Sequence, residues 1–457
     1  MATALQYVTE VSMDQPDEIR SVRILAGLFF ASFWTIVFTG AIRKWIFPGV
    51  TALYLLQDIP ILMSYAYAIW SGLFMRTYLM LVVIVLSVMI ILQALVQIVV
   101  PGLPVFVALV GLHNYLLYIP MLLVFPACLT AKHRKNFVWW NLMLSIPMCL
   151  LAVAQAKSPT GAWVNRTSQG EAFGLPGSEV ARVSGTFNFG TFYGLWVAMA
   201  VALCLGEWLL PRHRRSVQKT WVLIICTVAV NLCHLVSGSR GVIVMAGLDL
   251  LGAMLGAIIL GSTRAILAVA GICLLLPVTA GMTYVISPAE FNIIADRFTG
   301  DQYVEDGKKR VLDGFIGFAT DPKFSLIGAG VGMGVDASHS GNADSYSFTY
   351  QLSETDIIRN VMELGTPVGL TYVLLRICFA FGMVFLAIRI VRTGSSPHVL
   401  PLSFFLLLQT YQSDLTRNAT MSCTQVMIGY SFILGAYFYP DNTSQDTVAD
   451  EFLMRSA

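Results

Sequence analysis

The sequence predicts an all-α integral membrane protein with about twelve transmembrane helices. Hydrophobic residues make up 56% of the chain and charged residues only 12%, whereas about a quarter of the residues in soluble domains are charged. Apolar runs long enough to cross the bilayer core, which is about 30 Å thick and needs about 20 residues per helix, recur along the chain. A porin-type barrel is excluded, because its strands alternate apolar and polar residues and are about half as long.

Twelve apolar segments give the predicted helices, at 24–42, 51–72, 79–100, 103–129, 137–156, 185–210, 220–236, 242–260, 265–286, 367–390, 398–412 and 421–439. A long polar stretch, 287–366, separates the ninth helix from the tenth. The chain therefore divides into an N-terminal tail (1–23), helices 1 to 9 (24–286), a long loop (287–366), helices 10 to 12 (367–439) and a C-terminal tail (440–457).

The distribution of basic residues predicts the orientation. Lysine and arginine close to helix ends are retained in the cytoplasm. With the N-terminus inside, the short basic loops all fall on the cytoplasmic side, at Arg76, Lys132, Arg134, Lys135, Arg212, Arg214, Arg215, Lys219, Arg264, Arg389 and Arg392. Both termini are then cytoplasmic, and the loop at 287–366 lies on the extracytoplasmic face, away from cytoplasmic ATP and sugar nucleotides.

Several classes of protein and site are disfavoured. The basic residues are scattered through short loops, so we expect no nucleic-acid role. The eight cysteines lie in or at the ends of apolar runs without a CxxC pair, which supports neither a disulfide framework nor a zinc site. The polar N-terminus lacks the pattern of a cleaved leader. No DxD motif or cluster of outer carboxylates indicates a metal site.

Three ionisable residues fall inside predicted helices: Asp58, Asp249 and Arg376. Each costs about 2.5 to 3.5 kcal/mol at the membrane centre and must face a partner or water. Each of them therefore either braces neighbouring helices or contacts a substrate.

Three arginines lie at the predicted extracytoplasmic boundary. Arg182 precedes the sixth helix, Arg240 lies in the glycine-flanked turn 237–241, and Arg359 precedes the tenth helix. They either pair with loop carboxylates such as Glu179 and Glu290 or form a clamp for an anion, because a guanidinium binds phosphate oxygens in a bidentate manner. A clamp at this boundary predicts a membrane-anchored ligand such as a lipid diphosphate.

These segments resemble the O-antigen ligase and polymerase superfamily. The resemblance lies in 181–188, in 237–241, and in a long outer loop with Asp321-Pro322, the glycines between Gly328 and Gly334, and 354–365; it covers about 182–369 in the family's order. Segments 43–48 and 111–120 look more like the exopolysaccharide polymerase branch. The glycines do not fit GxGxxG, so we interpret them as a turn that shapes the loop.

The resemblance implies a GT-C-like polytopic glycosyltransferase of the bacterial inner membrane, with its active site on the periplasmic face. Such an enzyme polymerises repeat units carried by undecaprenyl diphosphate, which serve as donor and acceptor, and it uses no cofactor or metal. Membrane lipids, and a co-polymerase that controls chain length, are the other implied partners.

The resemblance also implies roles for individual residues. Arg182 and Arg240 would hold the diphosphate, and Arg359 would be a third contact or would orient Glu354, the first candidate for the base. Ligases of the family carry a histidine where Glu354 stands, so His339, fifteen residues upstream, is the second candidate. The remaining candidates for substrate binding are Asn188, His234, Ser239, Asn360 and Glu363.

Structural roles remain open for several of these residues. Glu354 and Arg359 either act on the substrate or form a salt bridge that orders the loop. His234 either reaches the site or packs between helices, and Glu363 either binds sugar hydroxyls or closes the segment that enters the tenth helix.

Two other functions remain open. A ligase would transfer the glycan to a lipid or protein acceptor. A transporter or lipid flippase commonly has twelve helices with both termini inside, but it places its polar residues near the midplane on broken helices. The arginines at one face favour the transferase.

Overall fold

The computed structural model describes residues 16–167, 174, 181–211, 215–286, 288, 291–292, 325–335, 356–412, 415 and 419–441. Within these residues the regular structure is helical, apart from an isolated bridge between Gly174 and Ala181. The all-α fold class predicted from composition is confirmed.

The α-helices are joined mostly by short connections. In chain order they are α1 Pro16–Ala41, α2 Asp58–Ser71, α3 Tyr78–Val99, α4 Val105–Leu116, α5 Met121–Val124, α6 Ala131–Ala156, α7 Gly190–Leu209, α8 Val217–Val236, α9 Arg240–Ile259, α10 Thr263–Ile286, α11 Asp356–Leu364, α12 Thr366–Arg392, α13 Val399–Gln412 and α14 Ala419–Phe438. A π-helical turn, Ile42–Ile46, extends α1, and a 3₁₀ segment, Thr51–Gln57, leads into α2. Helix α1 begins inside the segment that the sequence predicted to be a tail.

Ten helical segments of the described chain are long and apolar enough to cross a membrane: Glu18–Ile46, Ala52–Ser71, Tyr78–Val99, Val105–Ala127, Ala131–Ala156, Gly190–Leu209, Val217–Val236, Arg240–Ile259, Thr263–Met282 and Thr366–Arg392. The protein is therefore a multi-pass membrane protein. Helices α13 and α14 overlie the last two predicted segments but are not among these ten, so the count of twelve crossings stays a prediction.

Contacts between helix ends define one side of the bundle, which we call the Gly190 face. Helix α7 begins there at Gly190, and a Cβ added at Gly194 would lie 2.5 Å from Val242 near the start of α9. The end of α1 reaches the same side, because a Cβ added at Gly40 would lie 2.7 Å from the Cα of Phe187. The sequence predicts this face to be the extracytoplasmic one.

Helix α11 folds back along α12 instead of standing out from the bundle. Gly369 of α12 packs against Val361 of α11, and Asp356, at the start of α11, pairs with Arg376 at 2.7 Å. Arg376 lies ten residues into α12, which corresponds to about 15 Å along the helix at 1.5 Å per residue. Helix α11 therefore begins deep beside α12 and rises to the start of that helix.

The end of α13 lies at the same level as Arg376. The guanidinium of Arg376 donates to the carbonyl oxygen of Thr410, two residues before the end of α13, at 2.9 Å. Helix α13 has only 14 residues and spans about 21 Å. The end of α13 therefore lies beside Arg376, below the start of α12; residues 413–414 and 416–418 of the connection to α14 lie outside the described residues.

Candidate functional site

The segment 181–189 places Arg182 and Asn188 at the first turn of α7. The side-chain stem of Arg182 packs over Gly190, with its Cδ 3.2 Å from where a Cβ would be. No carboxylate among the described residues pairs with Arg182, and partial burial lowers the pKa of its guanidinium; arginine nevertheless remains charged. Asn188 is buried, and its Oδ1 has no hydrogen-bond partner in the described chain. Glu179 and Glu290, the alternative partners predicted for the arginines, lie outside the described residues.

Two buried side chains hold this segment in place. The ammonium of Lys44, in the π-helical turn after α1, donates to Ser184 Oγ at 2.9 Å and to the carbonyl oxygen of Gly185 at 2.8 Å. Gln155, near the end of α6, donates to the Gly185 carbonyl at 3.1 Å and accepts from the Gly185 amide at 2.8 Å. The position of Arg182 therefore depends on side chains from α6 and from the turn that follows α1.

We expect Lys44→Met to loosen this segment. The substitution keeps most of the side-chain volume but removes two buried hydrogen bonds, and loss of a buried partner costs about 1 to 3 kcal/mol. Thermal unfolding in detergent should show the destabilisation, and proteolysis between the end of α6 and the start of α7 should become faster. Arg43→Met, at the partly exposed neighbouring position, is the control. Equal stability and equal cleavage of the two variants would contradict this role for Lys44.

Arg240 lies on the same side of the bundle as Arg182. It is the first residue of α9, and Val242, two residues later, packs on Gly194, one turn below Gly190. Ser239 is the N-cap residue of α9, and its backbone amide donates to Ser237 Oγ at 3.4 Å. The starts of α7 and α9 therefore bring Arg182 and Arg240 to one side of the bundle.

His234 lies on the last turn of α8, directly below this turn. It is buried, and its Nε2 has no hydrogen-bond partner among the described residues. The sequence left a role in the site and a role in helix packing open for His234. The structure places its ring beside an interhelical cavity that lies below the arginines.

The candidate residues of α11 are enclosed in a separate polar network. The Tyr115 hydroxyl of α4 lies 2.7 Å from Glu363 Oε2 and 2.8 Å from Asn360 Oδ1. The amide of Gly334 donates to Glu363 Oε1 at 2.6 Å, and Gln97 of α3 donates to the Glu363 carbonyl at 2.7 Å. Both carboxyl oxygens of Glu363 are therefore hydrogen-bonded to protein groups, so in this arrangement the residue holds α11 to Tyr115 and Gly334.

The glycine segment 325–335 wraps around the end of α11. Its amides at Ala329 and Gly330 donate to the carbonyl oxygens of Met362 and Glu363, at 2.9 and 3.3 Å. A side chain at Gly334 would collide with Arg359 and Glu363. These amides therefore bind protein acceptors, and the segment holds the end of α11.

Arg359 also belongs to the buried network. Its guanidinium lies 3.6 Å from Asp356, and 1% of the residue is exposed. Asp356 bonds more closely to Arg376 and accepts from Asn360 Nδ2 at 3.2 Å. The described contacts of Arg359 join it to α11 and the glycine segment.

Burial raises the pKa of Glu363 to about 7, although the Tyr115 hydroxyl, Arg359 and the Gly334 amide act in the opposite direction. A protonated Glu363 can donate to Tyr115, whose own hydrogen then goes to Asn360. The folded protein therefore keeps a proton on Glu363 that the unfolded chain releases near the ordinary pKa of 4.5.

This shift predicts that stability falls as the pH rises from 4.5 to 7, because the folded state binds more protons than the unfolded state across this range. Glu363→Gln mimics the protonated side chain and should flatten this dependence, while it keeps the bonds to Gly334 and Tyr115. Thermal unfolding in detergent across the range is the measurement, with Glu18→Gln as the control. If Glu363→Gln and the wild type show the same pH dependence, Glu363 does not hold the proton.

A second polar cluster lies at the depth where α11 begins. Asp58 accepts from the Tyr118 hydroxyl at 2.7 Å, and its other oxygen lies 2.9 Å from His113 Nε2. The Tyr118 hydroxyl is also 3.0 Å from Thr420 Oγ1, at the start of α14. Asp58 thus braces α2 against α4. Asp249, in contrast, is fully buried with no hydrogen-bond partner for either oxygen in the described chain.

Comparison with known proteins does not identify the chain: no family model matches it, and no curated protein matches its sequence. The resemblance to the O-antigen ligase and polymerase superfamily stays a prediction from its motifs. Glu354 and His339, the two candidates for the base, lie outside the described residues. Groups of three or more histidine, cysteine, aspartate or glutamate side chains that suit a metal ion do not occur in the described part of the chain.

Sequence reasoning missed the residues that position the candidate groups. Lys44 lies in segment 43–48, for which only the family resemblance gave an interpretation. Its hydrogen-bond partner Ser184 is 140 positions away in the sequence. Tyr115 and Gln97 are polar residues inside apolar runs and were not predicted to have a special role. A polar side chain in a long apolar run indicates a buried partner, but this argument was applied only to the three charged residues.

Proposed function

We propose that the protein is a membrane glycosyltransferase that polymerises oligosaccharide repeat units carried by undecaprenyl diphosphate, on the extracytoplasmic face of a bacterial inner membrane. The observation that carries the proposal is the position of Arg182 and Arg240 at neighbouring helix starts on one face. A membrane-anchored diphosphate is an anion that two guanidinium groups at this boundary are suited to bind.

The local structure supports an anion site at this face. Lys44 adds a third basic side chain, buried against the Arg182 segment. The N-terminus of α7 also lies beside Arg182, and a helix N-terminus carries a partial positive charge that favours anions.

In the proposed reaction a sugar hydroxyl of one lipid-linked unit attacks the anomeric carbon of the other. The bond from that carbon to the diphosphate oxygen breaks, the diphosphate leaves with the electron pair, and the hydroxyl proton passes to a base. Arg182 and Arg240 would stabilise the charge that develops on the diphosphate. The base is Glu354 or His339. Because the donor is already activated, the reaction needs no nucleotide.

A transporter or lipid flippase is the second candidate, and one observation favours it. Polar pairs cluster where helices begin or end at depth, at Asp356 with Arg376 and at Asp58 with His113. Broken helices with polar residues near the midplane are the layout of many secondary transporters. In this structure, however, Asp356 and Asp58 are almost completely buried and bonded to protein groups.

Deleting the gene in its host tests the proposal. A polymerase predicts accumulation of single repeat units on the lipid carrier, and a ligase predicts accumulation of long chains. Lipid-linked material extracted from the deletion strain is then mixed with the purified protein in liposomes, without nucleotide and in the presence of a chelator. Extension of the single units into a ladder supports the polymerase. Movement of the unchanged units across the liposome membrane would support the flippase and contradict the transferase.

A further inference from the structure

An elongated cavity lies between α7, α8, α9 and α10. Its volume is about 400 Å³, and most of its lining is apolar, contributed for example by Leu205, Val230, Ile243, Leu250 and Ile272. The lining runs from Leu235 to Thr227 on α8 and from Ile243 to Leu250 on α9, which corresponds to about 10 to 12 Å along the helices at 1.5 Å per residue. The cavity is therefore long, narrow and parallel to the helices.

The upper end of the cavity lies directly below the arginine site. Ile243 is one turn after Arg240 on α9, and His234 lies on the last turn of α8. His234 is 4% exposed and its Nε2 has no hydrogen-bond partner in the described chain, so an unsatisfied polar atom lies at this end. The lower part contains Thr227, whose hydroxyl is already bonded to the Leu223 carbonyl oxygen at 2.6 Å. Asn231, about one turn below His234, also lines the cavity, and its Nδ2 donates to the Thr227 carbonyl oxygen at 2.8 Å. The buried nitrogen without a partner in the described chain therefore lies at the end nearest Arg240.

Small residues widen the cavity along α9. Ala246 and Gly247 lie on its wall, and a Cβ added at Gly247 would meet no atom within 4 Å. Close helix packing therefore does not require a glycine at position 247. It does require one at Gly252, where a Cβ would lie 2.9 Å from Pro401. Pro277, inside α10, lines the opposite side.

We propose that this cavity binds the first part of the polyprenyl chain of the lipid diphosphate whose head group Arg182 and Arg240 hold. The inference rests on the proposed function for the identity of the ligand. It adds the position of the polyprenyl chain. The arginines at the Gly190 face bind the anionic head group, His234 lies between the head group and the polyprenyl chain, and the apolar wall of the cavity covers the polyprenyl chain below. An amphiphile with its charge at one end matches this order of groups.

Gly247→Leu tests the proposal, because it adds a side chain to the cavity wall at a position where a Cβ meets no atom within 4 Å. Gly382→Leu in α12 is the matched control, since a Cβ there also meets no atom within 4 Å and Gly382 does not line the cavity. Each variant is reconstituted in phosphatidylcholine nanodiscs, and binding of undecaprenyl diphosphate is measured by native mass spectrometry, beside phosphatidylglycerol and inorganic diphosphate. We expect Gly247→Leu to weaken binding of undecaprenyl diphosphate at least about tenfold, or about 1.4 kcal/mol, and Gly382→Leu to leave it unchanged. Binding of inorganic diphosphate should be the same in both variants.

The other outcomes separate the two proposals. Equal binding of undecaprenyl diphosphate by both variants would place the chain elsewhere and leave the proposed function intact. Preferential retention of phosphatidylglycerol by the wild type, lost in Gly247→Leu, would assign the cavity to an ordinary phospholipid chain and overturn the inference. If the wild type does not retain undecaprenyl diphosphate, both the inference and the proposed function fail.

Discussion

Replacing Arg240 by alanine is expected to reduce the rate of polymerisation by about 10²- to 10³-fold, the usual loss when one preorganised group that stabilises the transition-state charge is removed. Arg240 starts α9 beside the first turn of α7, and Arg182 packs over Gly190 at the same turn. If both contact one diphosphate, as proposed, the loss at either position has the same cause. Arg182→Ala should produce a comparable loss, and Arg240→Lys should recover only part of the rate, because lysine keeps the charge but not the bidentate geometry. The measurement is the rate at which single lipid-linked units disappear in liposomes.

Arg392→Ala is the matched control for both variants. Arg392 is an exposed arginine at the end of α12, the opposite end of that helix from the Gly190 face. Its removal changes the net charge by the same amount, so a general effect of charge on lipid binding would appear in all three variants. A normal rate and normal product length for Arg240→Ala in well-folded protein would remove the clamp hypothesis.

The sequence predicted the helices well because length and hydropathy alone carry that information. Each predicted apolar run overlaps a helix of the described chain, although 103–129 is divided between α4, α5 and a 3₁₀ turn. Gly194 and Gly252 allow close approach to Val242 and Pro401 respectively. These are local properties of 20-residue windows or of single small residues. The position of the end of α13 beside Arg376 was not predicted, because the composition of an apolar run does not show at which depth in the bundle a helix ends.

The structure describes only some of the predicted site residues. Arg240 is the first residue of α9, whereas Arg182 precedes α7 by eight residues and packs back over Gly190, so both lie on the Gly190 face. Arg359, Asn360 and Glu363 were assigned to a polar loop, since charged residues in a glycine-bearing stretch are typical of solvent-exposed chain. The structure instead encloses them, with partners on α3, α4 and α12 far away in sequence. Hydrogen bonds between side chains that are far apart in the sequence cannot be predicted from one segment alone.

Breaking the pair between Asp356 and Arg376 should have the largest effect on stability. Asp356 is fully buried, and Arg376 donates to it at 2.7 Å and to the Thr410 carbonyl oxygen at 2.9 Å. One bond therefore fixes α11 against α12, and the other fixes the end of α13 to the same point. Arg376→Met leaves the Asp356 carboxylate in the interior without its closest cation, and removal of one partner of a buried pair costs about 3 to 5 kcal/mol.

The double variant Asp356→Asn with Arg376→Met separates the charge from the packing. It removes both charges while nearly preserving volume, and replacing a buried ion pair by neutral groups is often close to neutral in stability. We therefore expect thermal unfolding in detergent to show a large loss for Arg376→Met and substantial recovery in the double variant. Equal losses would mean that the bond to Thr410, which both variants lack, holds the three helices together. Recovery would instead show that the pair is needed because the carboxylate of Asp356 is buried, and that α11 is kept in the bundle by charge compensation at its first residue.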